Sequence, residues 1–365
     1  MRIAYVTVHV APEIMQGGVG KKIKSQISIW REQGHEATLF SLTPVQIPFP
    51  EARQFIFDSQ VNLLKREINR SAELKRMLTS IRAYQPDVVY LRFGLYSYPL
   101  HWLFKIAPVV LETNSNDVEE YRKRGIFFYW INRLTRNLLF DSACGLVVPS
   151  RELAVMLAPD GKKPVCVISN GIDLKEVETL PPANNQSPAI TLVGSPGMDW
   201  HGVDKLIKLA ELYPDLIVNI VGYSKNDFNG ETIPVNVYLH GFLNQKELQK
   251  ILSKTDVACG TLALHRKRME EASPLKVREA LAYGIPVIIA YRDTDLHDVN
   301  LDFILRIPNT EKNMIENAQR IRQFAYAMMG KRVPIEAVAP YLDQRAKEKT
   351  RLAFFQEIIA IDKSK

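Results

Sequence analysis

The chain has 365 residues, of which 46% are hydrophobic and 24% charged, and its formal net charge is +7. That profile excludes a disordered or fibrous chain, and no apolar run reaches the roughly 18 residues a spanning helix needs. The length suits two domains, and the positive balance points to an anionic partner without choosing among phosphate ligands, an acidic membrane surface and nucleic acid.

Residues 2–10 read as a first strand, not a signal peptide, because no small-residue cleavage site follows. Cys144, Cys166 and Cys259 are odd in number and far apart, which suggests a reducing, cytoplasmic setting and no disulfide or metal framework. A glycine-rich loop over 11–20 leads into a helix over 21–32, stopped at Gly34. Strands are expected at 35–42, 86–91, 108–112, 145–150 and 165–168. Short apolar strands alternating with helical patterns predict a parallel α/β sheet. The segment 121–140 is cationic and aromatic, chemistry that suits an anionic membrane surface. Its Ile131, Leu134, Leu138 repeat also suits a core-packed helix with a basic outer face, and that reading is preferred.

Residues 178–188 have linker chemistry, and the same grammar then restarts. Strands are expected at 189–194, 214–222, 235–240, 257–259 and 286–290, with a helix near 203–212. A basic helix over about 342–361 closes the chain and is expected to pack back on the first domain. The fold class is therefore α/β, two Rossmann-like doubly wound domains facing each other across a cleft. The domains are 1–177, with the closing helix, and 189–341.

Gly17 and Gly18 precede a helix, where bare amides favour anions. Met15 and Lys22 break the Walker A pattern, and the dinucleotide spacing is absent, so a tight turn is an equal reading. At Ser273-Pro274, Ser273 is expected as N-cap and Pro274 as first helical residue, followed by Leu275. Lys276 then falls where a capping-box Glu belongs, facing the positive end of the helix dipole. Asp293-Thr294-Asp295 matches a short acidic metal-holding pattern, but a solvated turn is preferred and no metal is assigned.

Several features occur in one order: the Gly17-Gly18 loop, Val148-Pro149-Ser150, Asn170-Gly171-Ile172-Asp173, Gly194-Ser195, and Glu271-x7-Glu279 followed by Gly284-Ile285-Pro286. Together these resemble glycosyltransferase family four, the retaining nucleotide-sugar transferases of GT-B fold, over nearly the whole chain. The resemblance implies that Glu271 contacts hydroxyls of the donor sugar and Glu279 the ribose, while Gly17-Gly18 approaches the diphosphate and the acceptor. It implies no metal and no other cofactor, and no dedicated base, the leaving diphosphate helping to take the acceptor proton.

The sequence departs from the family where Ser195 and His201 stand in place of two diphosphate-clamping cations, and where Glu112-Thr113-Asn114 replaces a His near the donor sugar. Glu112 and Asn114 become replacement candidates, with a capped turn as the equal alternative. Arg92 is an acceptor-anion candidate, with a surface ion pair as its plain reading. Lys276 shares a helix face with Glu279, and a ligand role is preferred to a Lys276–Glu279 surface pair. The catalytic candidates are Glu271, Lys276, Glu112 and Asn114. The donor-binding candidates are Gly17, Gly18, Ser195, His201, Ser273, Pro274, Leu275, Lys276 and Glu279.

The expected activity is hexosyl transfer from a nucleotide-diphosphate sugar to a glycan or lipid-linked acceptor in surface polysaccharide biosynthesis. The expected place is the cytoplasm or the inner face of the membrane. A nucleotide-sugar 2-epimerase and a non-catalytic glycosyltransferase-like subunit are the alternatives, and no nucleic-acid module is recognisable.

Overall fold

The computed structural model describes residues 1–8, 17–228, 230 and 232–364. The part of the glycine-rich loop before Gly17 lies outside them. The chain divides into two compact units, Met1–Ser169 with Gln344–Lys365, and Asn170–Asp343.

Unit 1 runs β1 (Arg2–Val8), α1 (Gly18–Glu32), β2 (Glu36–Thr43), β3 (Arg53–Ile56), α2 (Leu63–Tyr84), β4 (Val88–Arg92) and β5 (Val109–Glu112). It continues α3 (Asp117–Arg124), α4 (Ile126–Phe140), β6 (Gly145–Val148), α5 (Arg151–Leu157) and β7 (Val165–Val167). All seven strands are parallel, in the order β3-β2-β1-β4-β5-β6-β7. Ile3, Ala4, Tyr5 and Val6 are all fully buried, so β1 is covered on both faces, as a parallel sheet demands. On one face lie Ile23, Ile27 and Trp30 of α1, and on the other Leu74, Met77, Leu78 and Ile81 of α2. Both sets follow the three-and-four spacing of one helix face.

Unit 2 runs β8 (Ala189–Val193), α6 (Val203–Leu212), β9 (Ile217–Val221), β10 (Val237–Leu239), α7 (Gln245–Ser253) and β11 (Val257–Cys259). Then come β12 (Glu271–Ala272), α8 (Leu275–Ala282), β13 (Val287–Ile289), β14 (Arg292–Asp293), β15 (Ile304–Arg306), α9 (Asn313–Glu316), α10 (Ala318–Met328) and α11 (Ile335–Leu342). Its main sheet is parallel, in the order β10-β9-β8-β11-β13-β15, and β12 pairs with β14 beside it.

The last helix, α12 (Gln344–Lys363), returns to unit 1 and packs on α1. Phe355 meets Trp30 at 5.6 Å and Tyr90 at 5.2 Å between ring centroids.

The strands β3 and β15 and the long helix α2 have no counterpart among the sequence-predicted elements. And α4 is not core-packed through its Ile131, Leu134, Leu138 repeat, because Leu134 and Leu138 are exposed. The residues it buries are Asn132, Leu139 and Phe140. Asn132 Nδ2 and the Arg136 guanidinium both donate to the buried Asp117 carboxylate. A polar anchor thus turns the helix against its apolar stripe. Among the described residues no helix is long and apolar enough to cross a membrane.

Candidate active site

In unit 2 the strand order reverses between β8 and β11, and ligands of open α/β sheets bind outside the carboxyl ends of strands at such a point. Here β8 ends in Val193, followed by Gly194 and Ser195. Gly222, after β9, holds φ at +93°, and a Cβ there would stand 2.1 Å from the Gly194 carbonyl oxygen. Only glycine allows these two loops to touch. The Tyr223 hydroxyl donates to Ser195 O at 2.6 Å, and the Ser195 amide donates to His201 Nδ1 at 3.2 Å.

His201 therefore acts as an acceptor. Burial, with Lys276 and Lys267 nearby, holds its pKa well below the ordinary imidazole value. The ring is neutral at physiological pH, so this position brings no cation to the site; what it does is orient the Ser195 amide.

The opening of α8 is one residue later than the sequence predicts. Pro274 is the N-cap, with extended backbone angles and no side-chain cap bond, and Leu275 is the first helical residue. Ser273 does not cap because its hydroxyl accepts from the Asn170 amide at 2.8 Å, and Asn170 Nδ2 donates to the Ser273 carbonyl. The Asn-Gly-Ile-Asp turn is thereby tied to the start of α8.

Lys276 becomes the second helical residue. Its Nζ donates to Val193 O at 3.0 Å, which puts the ammonium at the carboxyl end of β8, beside Cys259 of β11. Burial lowers its pKa to about 8. A helix start with no acidic residue in its first turn, a desolvated lysine, and the Gly194-Ser195 turn meet at the switch point, an arrangement suited to an anion. Glu271 lies in β12, opposite Arg292, and Glu279 one turn beyond Lys276 on the same face of α8.

Between them sits a residue the sequence reading did not single out. Arg278 is fully buried and bidentate to Asp293, at 2.6 and 2.7 Å. It also donates to Asp295 at 3.0 Å and to Asn170 O at 3.1 Å. Asp293-Thr294-Asp295 is therefore no solvated turn: Asp293 is wholly buried as the counter-ion of Arg278. The signal for this was the acidic pair itself, which needs a cation if it is buried. Among the described residues no cluster of three or more His, Cys, Asp or Glu could hold a metal.

In unit 1 the order reverses between β1 and β4, and β4 ends in Arg92. Gly17 is the N-cap of α1 and Gly18 its first residue, so the amides expected to favour an anion do open a helix. Arg92 pairs in register with Glu112 at the end of β5. Glu112 is 2% exposed, and both its oxygens are engaged. Oε1 accepts from Lys22 Nζ at 2.7 Å, and Oε2 from Arg92 Nη1 at 2.9 Å and the Tyr5 hydroxyl at 3.2 Å. Burial alone would raise its pKa, but Lys22, Arg92 and Arg351 pull it far below the usual carboxylate range. Glu112 is thus a permanently ionised anchor for two cations. Asn114 Oδ1 accepts from the same Lys22 at 3.3 Å, and Asn116 caps α3. In the sequence Lys22 stands out only as a residue that breaks the Walker A pattern.

Two family models lie end to end on this chain: Glycosyltransferase Family 4 over residues 16–176 and Glycosyl transferases group 1 over residues 183–304. Solved structures resemble it over nearly its whole length. A sucrose-phosphate synthase from Thermosynechococcus elongatus matches with a TM-score of 0.68 at 15% identity, covering 99% of this chain and 100% of that one. The lipopolysaccharide outer core galactosyltransferase WaaB, in its apo form, gives 0.67 at 13%, covering 98% and 100%. HepE from Anabaena, in complex with UDP and glucose, gives 0.61 at 12%, covering 97% and 99%. At such identities the likeness speaks for the fold. No curated protein matches the sequence.

Proposed function

The chain is a glycosyltransferase of the family-four type with the GT-B fold, and from that premise we propose that it transfers a hexose, with retention, from a nucleoside-diphosphate donor to a glycan or lipid-linked acceptor. The observation that carries the donor assignment is Lys276, a lysine desolvated at the unit 2 switch point, in the sequence between the two glutamates that match the family's Glu-x7-Glu motif.

In this reading the α8 amides, the Gly194-Ser195 turn and Lys276 receive the diphosphate, where developing charge is stabilised by groups already in position. Glu279 takes the ribose hydroxyls and Glu271 the sugar hydroxyls. The bond from the anomeric carbon to the phosphate oxygen breaks as the acceptor oxygen bonds to the same face, and the acceptor proton passes to the departing diphosphate. No protein base is needed, which agrees with Glu112 being held by Lys22 and Arg92. No metal or other cofactor enters the scheme. Arg92 offers unit 1 a cation for an acidic or phosphorylated acceptor, such as a growing surface polysaccharide on a lipid carrier at the inner face of the membrane.

The test is a thermal-shift screen against nucleoside diphosphates and their sugars, because a native-state ligand raises Tm. UDP and UDP-glucose come first, since structural neighbours hold them. One donor should raise Tm, and Glu279→Ala should abolish the shift. Unchanged donor affinity in Glu279→Ala overturns the donor site. Conversion of the donor without any acceptor overturns the transfer reaction.

A further inference from the structure

On α4 the usual arrangement of an amphipathic helix is inverted. Its polar residues Asn132 and Arg136 are turned inward onto Asp117, while Ile126, Trp130, Leu134 and Leu138 form a row at every fourth position that faces outward. Ile126 is 69% exposed, Trp130 55% and Leu134 77%, and Phe127, beside the row, is 68% exposed. Single exposed apolar side chains need no explanation, but a continuous row of large ones does.

The charges around the row favour one occupant. Arg122, Lys123, Arg124 and Arg133 are exposed, and residues 121–140 contain no acidic side chain. The acids of α3 are matched by cations of the same segment, Asp117 by Arg136, Glu119 by Arg122 and Glu120 by Arg124, so the excess positive charge is that of Lys123 and Arg133.

A second apolar tip belongs to the same side of unit 1. Residues Leu63, Leu64 and Ile68 at the start of α2 are exposed beside Lys65, while Arg66 and Arg70 both pair with Glu67. Helices joining parallel strands run opposite to them, so the starts of α2 and α4 both lie at the carboxyl edge of the sheet. Their ends share one core, on one sheet face, through Leu74, Ile81, Leu139 and Phe140. Tyr98 and Trp102, on the turn between β4 and β5, are exposed too, and Lys75 of α2 lies over the Tyr98 ring.

We propose that this face of unit 1 docks on an anionic lipid bilayer, with α4 lying in the plane of the headgroups. Fifteen residues make a helix of about 22 Å, too short for a hydrocarbon core of about 30 Å, so the helix rests on the membrane and does not span it. Aromatic and aliphatic side chains enter the acyl boundary while the cations meet the headgroups. Arg92 ends β4 at this same carboxyl edge, so docking would bring the acceptor end of unit 1 to the surface that carries a lipid-linked acceptor. That purpose rests on the function proposed above, whereas the docking itself does not.

Cosedimentation with vesicles tests the surface. The protein should pellet with vesicles of phosphatidylglycerol and phosphatidylcholine in equal parts, and stay in solution with phosphatidylcholine alone. Lys123→Gln with Arg133→Gln should lower the partition coefficient about thirtyfold. Phe127→Ser with Trp130→Ser should abolish pelleting, while far-UV circular dichroism and the donor-induced Tm shift stay as in the parent protein. Failure of the parent to pellet with anionic vesicles overturns the proposal. So does a dimer in sedimentation velocity that the Phe127→Ser, Trp130→Ser variant dissolves, because a second copy would then be the occupant. A donor-binding failure leaves the vesicle result intact, so the two readings fall separately.

Discussion

Lys276 holds its charge against the burial around it, and that tension can be measured. Its pKa of about 8 in the donor-free protein should rise when a diphosphate binds. Donor affinity should then fall as pH climbs past about 8, because binding has to draw in a proton. Folding stability moves in the opposite direction. The unfolded chain keeps this proton to about pH 10.4, so between about pH 8 and 10 it binds more protons than the folded chain, and the Lys276 contribution to stability rises with pH. Titration calorimetry with a nucleoside diphosphate and denaturant melts over that range would show the two opposite slopes. Lys276→Met should weaken the donor roughly tenfold to a hundredfold, the worth of one charge-assisted hydrogen bond, and leave Tm unchanged or higher. A fall in Tm with affinity intact would make Lys276 structural only. The misfit of a lysine at a helix start was legible in the sequence. Its exact partner, Val193 O, was not, because that contact joins residues 83 positions apart.

At the scale of elements, α8 is held from below by Arg278. The pair Arg278–Asp293 is fully buried on both sides, and breaking such a pair costs about 3–5 kcal/mol because one charge is left uncompensated. Arg278→Ala and Asp293→Asn should each lower the unit 2 transition by that order in denaturant melts, and should disturb the Asn170 turn that Arg278 also holds. A loss below about 1 kcal/mol would show that the α8 opening stands on the Asn170–Ser273 hydrogen bonds alone. Strong apolar runs such as β1 and β8 were readable because both faces of a parallel strand are buried. β3 was not, since Arg-Gln-Phe-Ile is a half-exposed edge strand with no burial pattern to read. For α4, periodicity gave the stripe but not its direction. Direction depended on Asp117, fifteen residues from Asn132, being buried to receive it.

At the scale of the molecule, unit 1 is completed by α12, which lies beyond residue 304, where the second family match ends. This helix does more than cover apolar surface. Glu348 accepts from Trp30 Nε1 at 2.8 Å and from Gln26 Nε2 at 3.2 Å. Arg351 donates to the Tyr90 hydroxyl at 2.7 Å and to Glu348 at 2.8 Å. Tyr90 and Tyr5 pack edge to face at 5.1 Å, and Tyr5 reaches Glu112, so α12 underlies the buried charges that hold Arg92 and Lys22. Removing it would expose Trp30 and Tyr90, now fully buried, and would leave Gln26 and Tyr90 without these partners. Each large apolar side chain uncovered forfeits about 1.5–3 kcal/mol, and each orphaned polar group about 1–3 kcal/mol more. Several such losses together match the whole stability of an ordinary domain, about 5–15 kcal/mol. A chain ending at Asp343 should therefore lose unit 1 and keep unit 2, whose core of β8, β9, β11 and their helices takes no buried residue from α12. Limited proteolysis should degrade residues 1–169 and spare a fragment beginning near Asn170. If the 1–169 segment resists the protease without α12, the helix is an appendage and its buried ion pair has no part in holding the Glu112 cluster.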